Sequence, residues 1–154
     1  PRSGQELVAW AFLVALRTAL RAGEVVGLTG EAVDLERRVL TLATHKTVQV
    51  VGRRQVPLTP QAVRLLRVIH RPGLMLPIKA TTLDALFRKL RDQVLLSDIH
   101  FHDSRATALT HLSRRVDVLT LARISGHRNL QTLMNHYYRE TAEQISARLA
   151  SPRR

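Results

Sequence analysis

The sequence predicts an α+β fold that is mostly helical, with one small antiparallel β-sheet. Three observations point to it. Helix caps and apolar periodicity recur toward both ends of the chain. Two short alternating runs, residues 38–42 and 55–58, flank a polar basic stretch in the manner of a hairpin or small meander. The 154 residues are 45% apolar, enough for one domain with its own core.

The elements follow in order. Residues 5–20 are apolar on most faces, as in a buried helix. Gly23 and Gly27 loosen residues 21–28 into a short helix after a turn, and Thr29-Gly30 breaks it. The two alternating runs come next, with His45, Lys46, Gly52, Arg53 and Arg54 in the basic tip over residues 43–54. Thr59 caps a helix that has Pro60 at its first position and runs to about His70, where Arg71-Pro72-Gly73 ends it. Thr81 or Thr82 starts another helix, through about Val94. Asp103 is the expected cap of a helix into Leu112. A further helix over residues 117–124 ends at Ser125-Gly126, with glycine where a helix exits left-handed. Asn129 caps the segment that carries Tyr137-Tyr138, and Thr141 with Gln144 makes a capping box for the last helix. Residues 151–154 read as a loose tail.

The net charge is +12, which points to a polyanionic partner, nucleic acid before an anionic membrane. All but three of the 24 basic residues are arginine, whose planar fork suits phosphate; the lysines are Lys46, Lys79 and Lys89. An arginine-rich surface habit explains part of this surplus. Cysteine is absent, which excludes disulfides, thiol nucleophiles and cysteine zinc sites. The longest apolar run, residues 7–16, ends in Arg17 and Arg21 rather than in a small-residue cleavage site. That run is well short of the roughly 20 residues that span a bilayer. A cytoplasmic location is expected, without membrane association.

Four segments carry chemistry. Arg21 has Glu24 three residues on, the spacing of an ion pair, and most such pairs are structural. Lys46 stands near Arg53 and Arg54, whose charges push a lysine toward proton-donor range, although a lysine at a turn is ordinarily a solvated charge. His102 and Arg105, three apart at a helix start, form a phosphate-binding arrangement or a cap with incidental charges. His100 and His102 also hint at metal, but no carboxylate or cysteine set lies at ligand spacing, so no metal is expected. Ser125-Gly126-His127-Arg128-Asn129-Leu130 followed by Tyr137-Tyr138 reads locally as a helix junction and a half-packed tyrosine pair.

Taken in order, these segments resemble the catalytic domain of the tyrosine recombinase, or phage integrase, family. The resemblance covers about residues 5–149. Arg21-Ala22-Gly23-Glu24-Val25-Val26-Gly27-Leu28 looks like the family's first arginine box, with Asp34 ending the stretch that follows. Thr44-His45-Lys46-Thr47 and Gln55-Val56-Pro57-Leu58 look like its lysine hairpin. His102-Asp103-Ser104-Arg105 looks like its His-x-x-Arg box, and Ser125 to Leu130 like its second histidine box. No single box is specific; their order is.

The resemblance implies site-specific DNA recombination (integration, excision or inversion) by cleavage and rejoining through a covalent 3′-phosphotyrosine. It assigns catalytic roles to Arg21, Lys46, His102, Arg105, His127 and Tyr137, with Glu24 orienting them and Arg53, Arg54 and Arg128 on DNA. It implies double-stranded DNA as partner, a homo-oligomer (a tetramer) on DNA, association with the nucleoid, and no cofactor. The family's nucleophile usually stands nine residues after the Gly-His histidine, and that position here is His136. Tyr137 is favoured because Tyr137-Tyr138-Arg139-Glu140-Thr141 looks like the Tyr-Tyr-x-x-Thr run of some members; Tyr138 is the alternative. Residues 1–154 are expected to be a single catalytic domain without the usual N-terminal DNA-clamping domain. A type IB topoisomerase-like activity and a non-catalytic DNA-binding module are the competing readings, and formation of a covalent adduct separates the last from the others.

Overall fold

The computed structural model describes residues 3–42 and 53–150. Lys46, the hairpin tip over residues 43–52 and the tail over residues 151–154 lie outside the described residues.

Helix α1 (Gly4–Thr18) is the axis of the molecule. The Ser3 hydroxyl accepts the Glu6 amide at its start, and Val8, Trp10, Ala11, Val14, Ala15 and Thr18 are buried along it. Its length and near-continuous apolar surface let it pack at once against α3 (Pro60–Arg67), α4 (Ala80–Gln93) and α5 (Asp103–Ser113). Trp10 meets the usual requirement of a buried indole by donating to the Leu65 carbonyl at 2.7 Å. Phe12 of α1 stacks on Phe87 of α4 at 5.1 Å between centroids, and both meet Phe101 edge-on just before α5. This trio fixes where α5 begins.

The short helix α2 (Ala22–Val26) follows α1, and a 3-10 turn over Gly30–Ala32 leads into the sheet. Strands β1 (Val33–Asp34), β2 (Val39–Leu42) and β3 (Arg54–Pro57) run antiparallel in that order, with Leu40 opposite both Val33 and Val56. All three of these residues are buried, so the alternation read from the sequence does select the inward face. The sheet is thus a three-stranded meander; β1 is only two residues long and carries no periodicity. Thr59 caps α3 as expected, its hydroxyl accepting the Ala62 amide.

Two helix starts differ from the sequence reading. Helix α4 begins at Ala80 behind Lys79, with no side-chain cap, rather than at Thr81 or Thr82. Helix α5 has His102 at its N-cap position, and Asp103 is its first residue. The Asp103 carboxylate instead accepts the His100 amide at 2.7 Å, bracing the preceding turn.

The remaining helices are α6 (Val118–Ser125), α7 (Leu130–Tyr137) and α8 (Ala142–Ala150). Gly126 ends α6 at φ 72° and Asn129 caps α7, as the sequence predicts; Asp117, expected as the first residue of α6, is its N-cap. The Thr141–Gln144 capping box forms reciprocally ahead of α8. The core has two parts. The larger gathers α1 to α4, the sheet and Phe101. The smaller holds Ala19, Ala108, Leu109, Leu121, Ala122 and Leu133, with Tyr137 and Tyr138 packed partly against it. No helix among the described residues is long and apolar enough to cross a membrane.

Candidate active site

Arg21, His102, Arg105, His127 and Tyr137 line one cleft of about 240 Å3, together with Leu109, Thr132 and His136. They come from the start of α2, both sides of the start of α5, the turn after α6 and the end of α7. Five of the six residues expected to be catalytic therefore converge across more than a hundred residues of chain; the sixth, Lys46, lies outside the described residues.

Arg105 is the most enclosed, at 2% exposure. Its Nη1 donates to the Ala19 carbonyl and its Nη2 to the Ser125 carbonyl, the latter at 2.8 Å. The Ala19 carbonyl is available because α1 ends there in a left-handed turn, φ 57°. Burial lowers the Arg105 pKa to about 10, with the nearby Arg21 and Arg54 charges adding to the effect. The group still carries its charge at neutral pH.

Arg21 is half exposed and faces the cleft from the other side. Its backbone amide donates to Glu24 Oε2 at 2.8 Å and its Nη1 to Oε1 at 3.2 Å. The pairing expected from the spacing thus forms, and Glu24 anchors Arg21 without covering it. Burial works to raise the Glu24 pKa, but the Arg21 amide and the Arg54 guanidinium outweigh it and hold the carboxyl below its ordinary range.

His127 sits on the turn that Gly126 makes possible. Its Nδ1 lies 2.7 Å from the Ser125 hydroxyl. Desolvation lowers its pKa first, and the charges of Arg105, Arg21, Arg54 and His102 follow. The Ser125 hydroxyl also lies 3.5 Å from the Ala122 carbonyl, so it holds the imidazole in orientation from the Nδ1 side and leaves Nε2 uncommitted among the described residues. His102 is exposed at the cleft edge.

The two tyrosines occupy different environments. Tyr137 lines the cleft; burial raises its pKa and the Arg105 charge opposes that rise. The Tyr138 hydroxyl donates to the Val116 carbonyl at 2.7 Å and belongs to the smaller core. Tyr138 is the C-cap of α7, where the backbone leaves the helix at φ −124° and ψ 63°; both rings pack partly against the smaller core, but only Tyr137 lines the cleft. His136, in the family's usual nucleophile slot, also lines the cleft, its Nδ1 held by the Thr132 carbonyl at 2.7 Å.

Of the three arginines expected on DNA, Arg53 and Arg128 are exposed. Arg54 instead points inward, to Glu24 and to the Ser125 carbonyl, because β3 lies beside α6; no local pattern at residue 54 signals this. Among the described residues no group of three His, Cys, Asp or Glu stands at metal-holding distance.

The model of the phage integrase family matches residues 5–144. The chain belongs to the phage integrase family. Among curated relatives of this integrase-family chain, a Haemophilus influenzae protein named as an integrase/recombinase is 39% identical over 149 residues, 94% of this chain and 48% of its own length. The shufflon-specific DNA recombinase of Escherichia coli is 30% identical over 147 residues, 93% of this chain and 37% of its own length. The chain thus spans about half, or less, of the curated relatives it matches. Among solved structures, the Tn1549 transposon integrase in complex with transposon right-end DNA superposes with a TM-score of 0.78 at 21% identity, over 95% of this chain and 60% of that one. The catalytic domain of bacteriophage HP1 integrase superposes with a TM-score of 0.65 at 18% identity, over 95% of this chain and 89% of that domain. The integrase-family catalytic fold is therefore present throughout the described residues.

Proposed function

We propose that this chain is the catalytic domain of a site-specific recombinase that cleaves and rejoins DNA through a tyrosine. The observation that carries the reading is the convergence of Arg21, His102, Arg105, His127 and Tyr137 on one cleft.

A phosphodiester resists attack because its anionic oxygens repel the nucleophile. Arg105, immobilised by two carbonyls, and Arg21, braced by Glu24, clamp the non-bridging oxygens and stabilise the charge that develops on them. The Tyr137 oxygen attacks phosphorus in line, and the bond to the 5′ oxygen breaks. His102 takes the phenolic proton, which burial of Tyr137 makes harder to lose unaided. His127 donates through Nε2 to a non-bridging oxygen. Lys46 protonates the departing 5′ oxygen. The products are a 3′-phosphotyrosine and a free 5′ hydroxyl, and attack by a 5′ hydroxyl reverses the steps. The bond energy stays in the phosphotyrosine, so the cycle balances without a nucleotide or metal. Exposed Arg53 and Arg128 track the DNA backbone, and recombination joins several copies of the chain, a tetramer, on DNA.

The test is trapping on a nicked duplex that releases a short 5′ fragment, read as a covalent band on a denaturing gel. Tyr137→Phe abolishes the band. Tyr138→Phe keeps it, at a stability loss of about 0.5–1.5 kcal/mol for the hydrogen bond to Val116. Peptide mapping with phosphate on Tyr138 refutes the assignment, and an undiminished band in the double phenylalanine variant refutes the mechanism.

A further inference from the structure

Arg54 opens strand β3, far from α2 and α6 in sequence, yet its guanidinium reaches both. Its Nη2 lies 2.8 Å from Glu24 Oε1, and its Nη1 donates to the Ser125 carbonyl at 2.9 Å. Each acceptor is shared with a clamping arginine: Glu24 also holds Arg21, and the Ser125 carbonyl also takes Arg105 Nη2 at 2.8 Å. The contacts form an unbroken chain, Arg21–Glu24–Arg54–Ser125 carbonyl–Arg105.

Gly126 completes the arrangement. A Cβ at that position would lie 2.1 Å from Arg54 Nη1, 3.1 Å from its Cδ and 3.2 Å from its Cζ. The guanidinium fills the space a side chain would take, and both of its ends are already committed. Gly126 is thus needed twice, for its left-handed φ of 72° and for the room it leaves.

We infer that Arg54 is a positioning residue, one that sets the spacing of Arg21 and Arg105 and fixes the turn carrying His127 by lying in the notch at Gly126. The inference rests on the recombinase reading for its catalytic consequence, but not for its geometry. Lysine cannot replace it, because one ammonium on a flexible stem does not span two acceptors that the planar fork reaches together. The role differs from a DNA contact, since Arg54 is largely covered: Nη1 donates to the Ser125 carbonyl, Nη2 pairs with Glu24, and Nε is buried without a hydrogen-bond partner among the described residues.

Three measurements on Arg54→Lys, Arg54→Ala, Gly126→Ala and the Arg54→Ala/Gly126→Ala double variant test it. The first is affinity for a nicked duplex by fluorescence anisotropy across a salt series. The second is single-turnover adduct formation at saturating duplex. The third is NMR of the His127 ring and the Gly126 amide. Arg54→Lys is expected to bind the duplex within about twofold of the parent, with an unchanged salt slope, while adduct formation falls at least about tenfold. Gly126→Ala falls comparably, and the double variant lies no more than about threefold below either single one, because both changes break the same contact. If Arg54→Ala does not fold, as judged by circular dichroism, Arg54→Lys carries the test with charge and stem retained. Weaker binding with the salt slope reduced by about one, at an unchanged saturated rate, makes Arg54 a phosphate contact and overturns the inference. If the parent chain forms no adduct, the recombinase reading fails and the NMR decides alone. The His127 ring, on the turn next to the Arg54–Ser125 carbonyl bond, and the Gly126 amide must then shift in Arg54→Lys; unshifted resonances overturn the inference.

Discussion

The two parts of the core hold the two halves of the proposed chemistry, and they are built differently. The larger part buries one face of α1 completely, from Val8 to Ala15, and locks it with three interlocking phenylalanines. Arg21 and Arg105 are tied to it or to its edge. The smaller part is made of alanines and leucines. Leu133 is the one buried residue of α7, and α8 has none among its described positions. The proposed clamp therefore reaches from the dense part to the seam at Ala19, while Tyr137 stands on thin packing alone. Local opening costs least where few apolar contacts close a segment. The tyrosine helix is the part of the site that can move without unfolding the clamp.

The strongest challenge to that contrast is Arg105→Ala. It removes the donor proposed for the transition state, so adduct formation on the nicked duplex should fall by about 10²–10³-fold. It also takes the donor from the Ala19 carbonyl at the seam of the two cores, so chemical denaturation should show a loss of about 1–3 kcal/mol. A near-parental rate would remove Arg105 from the site.

A paired cavity experiment sharpens it. Leu66→Ala in the larger core and Leu133→Ala in the smaller should each cost about 2–5 kcal/mol. Hydrogen exchange should distinguish them. Leu133→Ala should speed exchange in α7 and leave α1 protected, whereas Leu66→Ala should lower protection in α1 and α3 together. Equal loss throughout from both substitutions would mean that the two cores unfold as one.

The smallest effect concerns acid. The Glu24 pKa is lower in the folded chain than its ordinary 4.5, so its ionisation contributes stability that is present above that value. The contribution is lost as pH falls through the lowered folded pKa. Glu24→Gln should remove this part of the pH dependence, so its stability curve should be flatter than the parent's below about pH 4.5. Parallel acid-unfolding curves would contradict the pairing.

Much of this was legible in the chain itself, where the cause is local. Thr59 and Asn129 accept amides two or three residues on, so residue type and position suffice to find these helix starts. Lys79 offers no such bond, and the start of α4 was misjudged by a turn's fraction. The order of the boxes identified the residues that meet in the cleft, but orientation required packing. Spacing from His127 left Tyr137 and Tyr138 open; the bond to Val116, more than twenty residues upstream, is what separates them. Arg53 and Arg54 are indistinguishable as letters, and only β3's place beside α6 turns one outward and the other inward.

Ala19 carries an implication for how such a chain diverges. It adopts a left-handed conformation that costs an L-residue roughly 1–2 kcal/mol, yet its methyl is buried in the smaller core and its carbonyl receives Arg105. Glycine would relieve the backbone and leave a hole; any larger side chain would keep the strain and overfill the seam. The position is hemmed in from both ends of the amino-acid alphabet, so lineages descended from this sequence should drift freely along α8 long before they change residue 19.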